Sequence, residues 1–369
     1  MERRKYELDT CSSVFVNTCV SRYKLSSSEE RRKVGMMAIQ VRYFQRKSNA
    51  ATFSLERAFR AVSGAMPNDV ATQFYDCQFE SRRVVRRVLN IIAAWFHQED
   101  VNHIVGDVHY LALGLWKRKT VLTIHDCGCL RSTGGLRRLV LQWFWFWLPV
   151  RRVAAVTAVS EFTRGEVLKY TGCNPDLVRV IPDPVPSGFL PCPREFQRTC
   201  PVILQVGTSQ HNKNICRVAE ALSGISCRLE IIGKLTGVQR EALEQNSIDY
   251  SEQWGLSDAQ VVEKYRECDL VIFVSVYEGF GMPIVEANAI GRPVVTSLIA
   301  PMCAVAGSAA CLVDPFDTSS IREGISRVIN DSVYRSELVA HGFENVKRFD
   351  ADVVAAQYAN LYRQLTVRH

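Results

Sequence analysis

Short apolar runs alternate with longer amphipathic segments along most of the chain. Uniformly apolar runs are typical of strands buried on both faces of a parallel sheet. We interpret eight runs as strands: Ala38–Phe44, Val101–Val105, Val121–Ile124, Val153–Val159, Val202–Val206, Arg228–Ile232, Leu270–Val274 and Pro293–Thr296. Helices are predicted at 54–64, 81–98, Asn214–Leu222, from Pro283, and at Ser319–Ile329, Val333–Arg348 and Asp352–Leu365. This alternation predicts an α/β, doubly wound fold.

A proline-rich segment divides the chain near its middle. Residues 182–201 contain six prolines, which sustain neither a helix nor a central strand. We therefore predict an N-terminal Rossmann-like domain at 36–190 and a C-terminal one at 191–349. The last helix, at 350–369, is expected to pack back on the first domain. With two such halves, ligands are expected in the cleft between them, beyond the carboxyl ends of the strands.

The N-terminal residues lack the pattern of a folded element. Residues 1–35 are polar and show no periodicity, so we predict a flexible extension. The alternative is that the biological start is Met36 or Met37. The segment has no apolar core of a secretory signal. The 13 cysteines include no CxxC pair, and we interpret them as reduced thiols of a cytoplasmic protein.

Charge is distributed unevenly between the two halves. Residues 1–190 carry 28 basic and 17 acidic groups, a balance of +11, whereas residues 191–369 carry 17 and 21, a balance of −4. The first half is therefore expected to meet an anionic partner. Anionic membrane, a phosphate-bearing acceptor and nucleic acid are the candidates, and nucleic acid is not expected because no binding motif is present.

One segment carries the strongest functional signal. In Val271–Ser297, an apolar strand leads to Glu278, a Gly279–Gly281 turn, and a helix with Pro283 in its first turn and Glu286 beyond. Glycines let backbone approach a ligand, and a helix N-terminus favours an anion. Carboxylates accept hydrogen bonds from sugar hydroxyls. The pattern fits a nucleotide sugar, and the alternative is a purely structural strand–turn–helix.

The sequence EGFGMPIVEA, from Glu278 to beyond Glu286, resembles the E-x7-E signature of the retaining glycosyltransferases of family 4 (glycosyl transferases group 1). Other segments resemble the family in the same order: VTAVSEFTRGEVLKY, VIPDPVP, LQVGTSQHNKN and FDADVVAAQYANLYRQL. The resemblance covers about residues 38–369. It implies the GT-B fold, with two Rossmann-like domains facing each other across a cleft. It also implies a nucleotide-diphosphate sugar donor, no cofactor, no obligatory metal and retention at the anomeric carbon.

The resemblance assigns roles to matching residues. Glu286 is expected to bind the donor ribose, and Glu278 to contact the transferred sugar. Lys213 is expected to neutralise the diphosphate, and His125 to face the donor from the first domain. The amides of Gly279, Phe280 and Gly281 are expected to hold the donor diphosphate. Further donor contacts are expected from Lys234, Gly207 and Thr208, and acceptor contacts from His109 and Asp126. The alternatives are a solvated loop lysine for Lys213 and structural roles for the two histidines.

The chain departs from the family pattern in several places. Thr208 and Asn212 lie where many relatives have an arginine near the diphosphate, which makes Lys234 the candidate second positive charge. Val274-Ser275 and the run Cys303–Gly307 also differ from common family sequences. Two other interpretations therefore remain: a catalytically weak sugar-nucleotide-binding subunit and a GT-B-fold sugar-nucleotide epimerase. The sugar, the base and the acceptor stay open, with mannose or glucose as expected hexoses.

Basic and aromatic residues of the first half point to the acceptor side. Residues 136–152, LRRLVLQWFWFWLPVRR, place Trp and Phe between paired arginines, a pattern typical of membrane interfaces. Residues 82–96 are interpreted as a core helix with a solvated basic face, with a membrane interface as the alternative. For residues 136–152 the alternative to the interface is a core helix. We therefore predict a glycan or lipid-linked acceptor, a role in surface polysaccharide synthesis, and peripheral association with the inner face of an anionic membrane.

Overall fold

A computed structural model of the chain describes residues 38–47, 54–81, 83–207 and 211–367. The predicted extension at 1–35 and the candidate Thr208 lie outside these described residues. Within them, the chain forms two parallel six-stranded sheets, and the predicted α/β architecture of two Rossmann-like halves is confirmed. We call the part built on the first sheet the first domain and the part built on the second sheet the second domain.

The first sheet has the strand order β2-β1-β3-β4-β5-β6, and every neighbouring pair is parallel. Its strands are Ile39–Gln45 (β1), Val70–Asp76 (β2), Val101–Ile104 (β3), Thr120–Ile124 (β4), Ala155–Ala158 (β5) and Val178–Val180 (β6). The α-helices in this part of the chain are Ser54–Gly64 (α1), Val84–Trp95 (α2), Gly128–Arg131 (α3), Gly135–Leu141 (α4), Leu148–Arg151 (α5) and Glu161–Thr171 (α6).

The second sheet has the order β12-β11-β10-β7-β8-β9, again all parallel. Its strands are Val202–Val206 (β7), Arg228–Ile232 (β8), Asp249–Gln253 (β9), Leu270–Phe273 (β10), Val294–Ser297 (β11) and Cys311–Val313 (β12). The helices that follow are Ile215–Leu222 (α7), Gly237–Gln245 (α8), Asp258–Glu267 (α9), Met282–Ile290 (α10), Met302–Ala306 (α11), Thr318–Asn330 (α12), Ser332–Val346 (α13) and Ala351–Val367 (α14).

The last helix of the chain returns to the first domain. In α14, Tyr358 and Tyr362 are buried in the same cluster as Tyr43 of β1. The hydroxyl of Tyr362 lies 2.7 Å from Nδ1 of His103, and Arg363 pairs with Asp69 at 2.7 Å. Because residues 181–201 also connect the two sheets, the backbone crosses between the domains twice.

Helix α2 does not bury its apolar residues. Its buried side chains are Asn90 and Ala94, while Val84 is 73% exposed and Ile92 is 51% exposed. The guanidinium of Arg87, by contrast, packs 5.0 Å from the ring centroid of Trp145. The prediction of a core helix at 82–96 is therefore wrong, because the apolar face of this helix is exposed, whereas Arg83 and Arg86 are solvated as predicted.

The aromatic segment that follows α4 is divided between the interior and the surface. Gln142–Trp147 forms a π-helical turn, in which Phe146 is buried while Trp143 and Phe144 are exposed. The rings of Trp143 and Trp147 stack at 5.5 Å, and Arg151 covers Trp147 at 3.8 Å. Among the described residues, no helix combines the length and the apolar composition needed to cross a bilayer.

Candidate functional site

The two central strands of the second sheet bring the predicted donor residues together. Strands β7 and β10 are parallel neighbours, so the loops after them meet at one edge of the sheet. There, Nζ of Lys213 donates to Oε1 of Glu278 at 2.7 Å. Asn212 ties the loops further, since its carbonyl accepts from Val276 N at 2.8 Å and its Nδ2 reaches Glu278 at 3.3 Å. A cation and a carboxylate are thus fixed side by side.

Gly207 makes room for the lysine. Its φ is +85°, which favours glycine, and a Cβ at this position would lie 2.8 Å from Cε of Lys213. The Lys213 ammonium also lies 4.9 Å from the ring centroid of Phe273, at the end of β10. The side chain of Lys213 is 18% exposed and that of Glu278 is 16% exposed, so both charged groups are largely shielded from bulk solvent.

The turn of the E-x7-E segment is docked on the first domain. The carbonyl of Gly279 accepts from Ser160 Oγ at 2.6 Å and from Thr163 Oγ1 at 3.0 Å. A Cβ on Gly279 would lie 1.8 Å from the carbonyl oxygen of His125. Only glycine therefore allows this backbone contact between the domains.

Helix α6 is capped by Ser160, whose Oγ accepts from Thr163 N, and Glu166 lies in the middle of the helix. Glu166 accepts from the Tyr277 hydroxyl at 2.6 Å and pairs with Arg131 at 2.9 Å. Tyr277 is thereby a second link between the turn and the first domain.

Glu286 is enclosed in the second turn of α10. It is 1% exposed, and its Oε2 accepts from the hydroxyl of Tyr265 at 2.6 Å. Oε1 lies 3.5 Å from Nη2 of Arg57, which comes from α1 of the first domain. Burial raises the pKa of Glu286, and the nearby Arg57 and Tyr265 offset this only in part. The carboxylate predicted to bind ribose is therefore held between both domains.

His125 follows β4 and is 11% exposed at its side chain. Its Nε2 lies 3.1 Å from the carbonyl of Val105, and its Nδ1 lies 3.6 Å from Oδ2 of Asp183. Burial lowers the pKa of His125, but the Asp183 carboxylate, the Val105 carbonyl and Asp126 together outweigh this effect, so the pKa lies above its ordinary value.

His109 and Phe280 are both buried. His109 is 4% exposed, its Nδ1 lies 2.9 Å from the Trp145 carbonyl, and burial lowers its pKa, which together describe a structural histidine. The Phe280 ring is 5% exposed and packs edge-on against Phe349, which leaves its backbone amide as the group predicted to contact the donor. Asp126 is exposed, and its Oδ1 accepts from Gly128 N at 2.7 Å.

Lys234 follows β8, and its ammonium lies 5.8 Å from the ring centroid of Trp254. Its proposed role at the diphosphate therefore stays a prediction. Sequence reasoning missed Arg57, Tyr265, Asp183 and Tyr277. Tyr277 directly precedes Glu278, and Asp183 lies within the VIPDPVP segment, so proximity to matched motifs was an available signal. Arg57 and Tyr265 lie within helices and carried no such signal.

Two family models match consecutive parts of the chain. Residues 53–188 match the model described as Glycosyltransferase Family 4, and residues 193–344 match the one described as Glycosyl transferases group 1. The boundary between the matches falls within the proline-rich segment. The second match contains Lys213, Glu278 and Glu286, and the first contains His125.

Curated relatives are similar over part of their length. The chain is 26% identical over 233 residues to O-antigen chain mannosyltransferase B of Escherichia coli, a match covering 57% of this chain and 60% of that protein. It is 25% identical over 246 residues to MMP alpha-(1->4)-mannosyltransferase of Mycolicibacterium hassiacum, covering 62% and 60%. The matched region thus spans about three fifths of these two relatives.

Solved structures share the whole architecture at low identity. Sucrose-phosphate synthase from Thermosynechococcus elongatus superposes with a TM-score of 0.72 at 15% identity, covering 90% of this chain and 100% of that one. WaaG, a glycosyltransferase involved in lipopolysaccharide biosynthesis, gives 0.66 at 15% identity, covering 88% and 99%. The fold and the two family matches together place this chain among the GT-B glycosyltransferases.

Proposed function

We propose that the chain transfers a hexose from a nucleotide-diphosphate sugar to a glycan or lipid-linked acceptor, with retention at the anomeric carbon. One observation carries the proposal: Lys213 and Glu278 lie 2.7 Å apart beside the N-terminus of α10. A cation and a helix N-terminus suit a diphosphate, and an adjacent carboxylate suits the hydroxyls of a sugar. Lys213 and the helix N-terminus thus suit the donor diphosphate, and Glu278 suits the sugar attached to it.

The donor ribose is assigned to Glu286. Glu286 lies eight residues beyond Glu278, in the second turn of α10, and the Tyr265 hydroxyl fixes the orientation of its carboxylate through Oε2. A carboxylate has about four lone-pair sites, so Oε1 and the remaining sites can accept from a diol in addition to the protein groups. Hydrogen bonds of this charge-assisted kind contribute about 1.5–3 kcal/mol each.

The transfer step uses the charge that develops on the leaving diphosphate. The anomeric C–O bond breaks, negative charge grows on the diphosphate, and Lys213 with the first-turn amides of α10 stabilises it without reorganising. The acceptor hydroxyl attacks from the face that the diphosphate leaves, forming the new C–O bond. The acceptor proton passes to a departing phosphate oxygen. No protein base is required in this scheme.

The closed contact between the domains supports the same proposal. Gly279, Tyr277 and Glu286 all bond to first-domain residues, so the donor turn is held against the domain expected to bind the acceptor. Exclusion of water from such an interface suppresses donor hydrolysis. Two relatives are named as mannosyltransferases, and Anabaena HepE is described in complex with UDP and glucose, so mannose and glucose nucleotides are the first donors to test.

The test combines a thermal-shift screen with analysis of the reaction product. UDP, GDP and ADP and their glucose and mannose conjugates are compared, since a ligand that binds the folded state raises the melting temperature. The sugar-nucleotide that gives the largest shift is then incubated with the protein, and ¹H NMR follows the anomer first formed on slow hydrolysis or transfer. An initial product with the donor's own anomeric configuration is expected.

Each other outcome selects a different function. A product of inverted configuration contradicts retention. Binding of a nucleotide sugar with no turnover in the presence of membrane extracts favours a sugar-nucleotide-binding subunit. Appearance of a second nucleotide sugar, rather than a free or transferred sugar, indicates an epimerase. Glu286→Ala serves as the matched control, because it removes the ribose contact and should abolish the thermal shift.

A further inference from the structure

Helix α2 presents a row of apolar side chains away from the first domain. Val84, Val85, Val88, Leu89, Ile92, Trp95 and Phe96 are between 42% and 73% exposed. Asn90, on the opposite side, anchors the helix by bonding to the backbone of Phe79 and to the hydroxyl of Tyr110. The helix therefore buries the polar side chain of Asn90 and exposes its apolar face, which is the reverse of the usual arrangement in a surface helix. Contiguous apolar exposure of this kind marks a binding surface.

A second apolar segment belongs to α4 and the turn after it. Leu136, Leu139, Val140, Trp143 and Phe144 are between 45% and 76% exposed. This segment and α2 both pack on the 3₁₀ helix His109–Leu113, and the Arg87 guanidinium lies over the Trp145 ring. The two apolar rows are thus neighbours on one side of the first domain.

An open cavity continues this region at the end of α2. It has a volume of about 620 Å³ and is lined by Trp95 of α2, Trp116, Lys117, Arg118, Lys119 and Arg152, with Gly114 and Leu115. The Lys119 ammonium lies 5.2 Å from the ring centroid of Trp116. Two indole rings beside four cationic side chains suit a ligand with an anionic head and an adjoining apolar part.

The charge of these segments indicates which partner binds this surface. Residues 83–96, 114–119 and 136–152 contain ten Arg or Lys residues and no Asp or Glu. A second copy of this chain docking by the same surface would place arginine against arginine. An anionic bilayer complements the surface in both respects, because its phosphates attract the cations and its acyl region accepts the apolar side chains.

We propose that helix α2, the exposed part of 136–144 and the Trp95–Arg152 cavity form one membrane-docking surface for an anionic phospholipid bilayer. The apolar rows insert at the headgroup–acyl boundary, and the cavity takes the phosphate of a lipid headgroup. The membrane contact predicted from the sequence for residues 136–152 is thereby extended to α2, for which the sequence left a core helix and a membrane interface open. The proposal rests on the proposed function only where it places a lipid-linked acceptor beside the enzyme.

The test is co-sedimentation with vesicles of phosphatidylcholine alone or mixed in equal parts with phosphatidylglycerol, at low and high salt. The wild-type chain should bind the anionic vesicles at low salt and dissociate at high salt. The variant Val85→Ser/Leu89→Ser/Ile92→Ser removes apolar side chains that make the surface, and should lose most binding. Its matched control, Val238→Ser/Val333→Ser/Val353→Ser, removes equally exposed residues elsewhere and should bind like wild type.

A charge variant keeps the test decisive if the apolar variant fails to fold. Lys117→Gln/Arg152→Gln should weaken binding to anionic vesicles about tenfold or more, while Arg198→Gln/Lys347→Gln, in the second domain, should not. Binding of soluble glycerophosphate without binding of vesicles would overturn the proposal. So would self-association of wild type that the triple α2 variant abolishes. Nucleotide-induced thermal shifts are measured on all variants, and unchanged shifts separate failure of docking from failure of the proposed transferase function.

Discussion

The guanidinium of Arg57 lies 3.5 Å from the carboxylate of Glu286, and the two residues are 229 positions apart in the chain. Arg57 belongs to α1 of the first domain and Glu286 to α10 of the second, so the contact spans the interface at the predicted ribose site. Nε and Nη1 of Arg57 are buried without a hydrogen-bond partner, and Nε lies 3.6 Å from Asp258. The ion pair is the main interaction of a guanidinium that is 14% exposed.

Arg57→Met should therefore change the pH dependence of nucleotide binding. Burial raises the pKa of Glu286 and Arg57 lowers it, so the variant should raise this pKa further. A carboxyl group whose pKa is raised in the folded state contributes to the free energy of unfolding below its pKa in the unfolded state. This contribution is lost as pH rises through the pKa of the folded state. The variant should thus be about 1–3 kcal/mol less stable at neutral pH.

Calorimetric titration of the nucleotide between pH 5.5 and 7.5 checks this. The affinity ratio of wild type to Arg57→Met should grow as pH falls, because the variant loses the charged, diol-accepting form of Glu286 at a higher pH. Arg60→Met is the matched control, since Arg60 lies on the same helix and is exposed. A ratio that stays constant over this range would show that Arg57 does not act through Glu286.

Gly279→Ala should disrupt the contact between the domains. The added Cβ would lie 1.8 Å from the carbonyl oxygen of His125, and backbone on both sides leaves no flexible group to move. Displacing the donor turn by an ångström or so can reduce turnover about 10²-fold. Small-angle scattering should show a larger radius of gyration. Gly237→Ala, which has nothing within 4 Å and lies at the start of α8, should leave both measurements unchanged.

The sequence predicted the interior of this fold better than its edges. The four strands that the apolar pattern does not predict, β2, β6, β9 and β12, all lie at the edge of a sheet. Strand β9, Asp249–Gln253, contains no run of apolar residues because an edge strand is solvated along one side. Central strands are covered on both faces and so carry the continuous apolar signal on which the prediction relied.

The candidate site shows a similar division. Lys213, Glu278 and Gly279 lie in one turn region because they end adjacent strands, which a topology prediction can anticipate. Arg57 reaches Glu286 through the relative placement of two domains, which local sequence does not encode. The helix α2 was misassigned for a related reason. Its periodicity is genuine, but periodicity does not say whether the apolar face meets the core or another surface.

His125 and Asp183 should form a pH-sensitive ion pair. Burial lowers the pKa of His125, but the Asp183 carboxylate, with smaller contributions from the Val105 carbonyl and Asp126, raises it above its ordinary value. Stability from this pair should be complete below the unfolded histidine pKa of about 6.5 and be lost as pH rises through the folded value. Asp183→Asn should bring the pKa of His125 below its ordinary value, since burial then acts with little opposition.

NMR titration of the His125 ring protons checks this directly. Thermal melts from pH 5.5 to 8.5 provide the energetic counterpart, and the difference between wild type and Asp183→Asn should be largest at the acidic end. His341, for which the structure gives no ion pair, is an internal reference in the same spectra. An unchanged His125 titration in the variant would show that Asp183 does not raise the pKa of His125.

Lys213→Ala should lower kcat more than it raises the donor KM. The ammonium is 2.7 Å from Glu278, beside the proposed position of the leaving diphosphate, and charge on a leaving diphosphate grows toward the transition state. Loss of one such fixed group costs about 10²–10³ in turnover. Lys234→Ala is the comparison, because the Lys234 ammonium lies instead over Trp254 in the same domain. Steady-state kinetics of both variants, with the donor identified by thermal shift, should show the large kcat defect for Lys213 alone. A normal kcat for Lys213→Ala together with a large kcat defect for Lys234→Ala would contradict this prediction. It would show that Lys234, rather than Lys213, stabilises the leaving diphosphate.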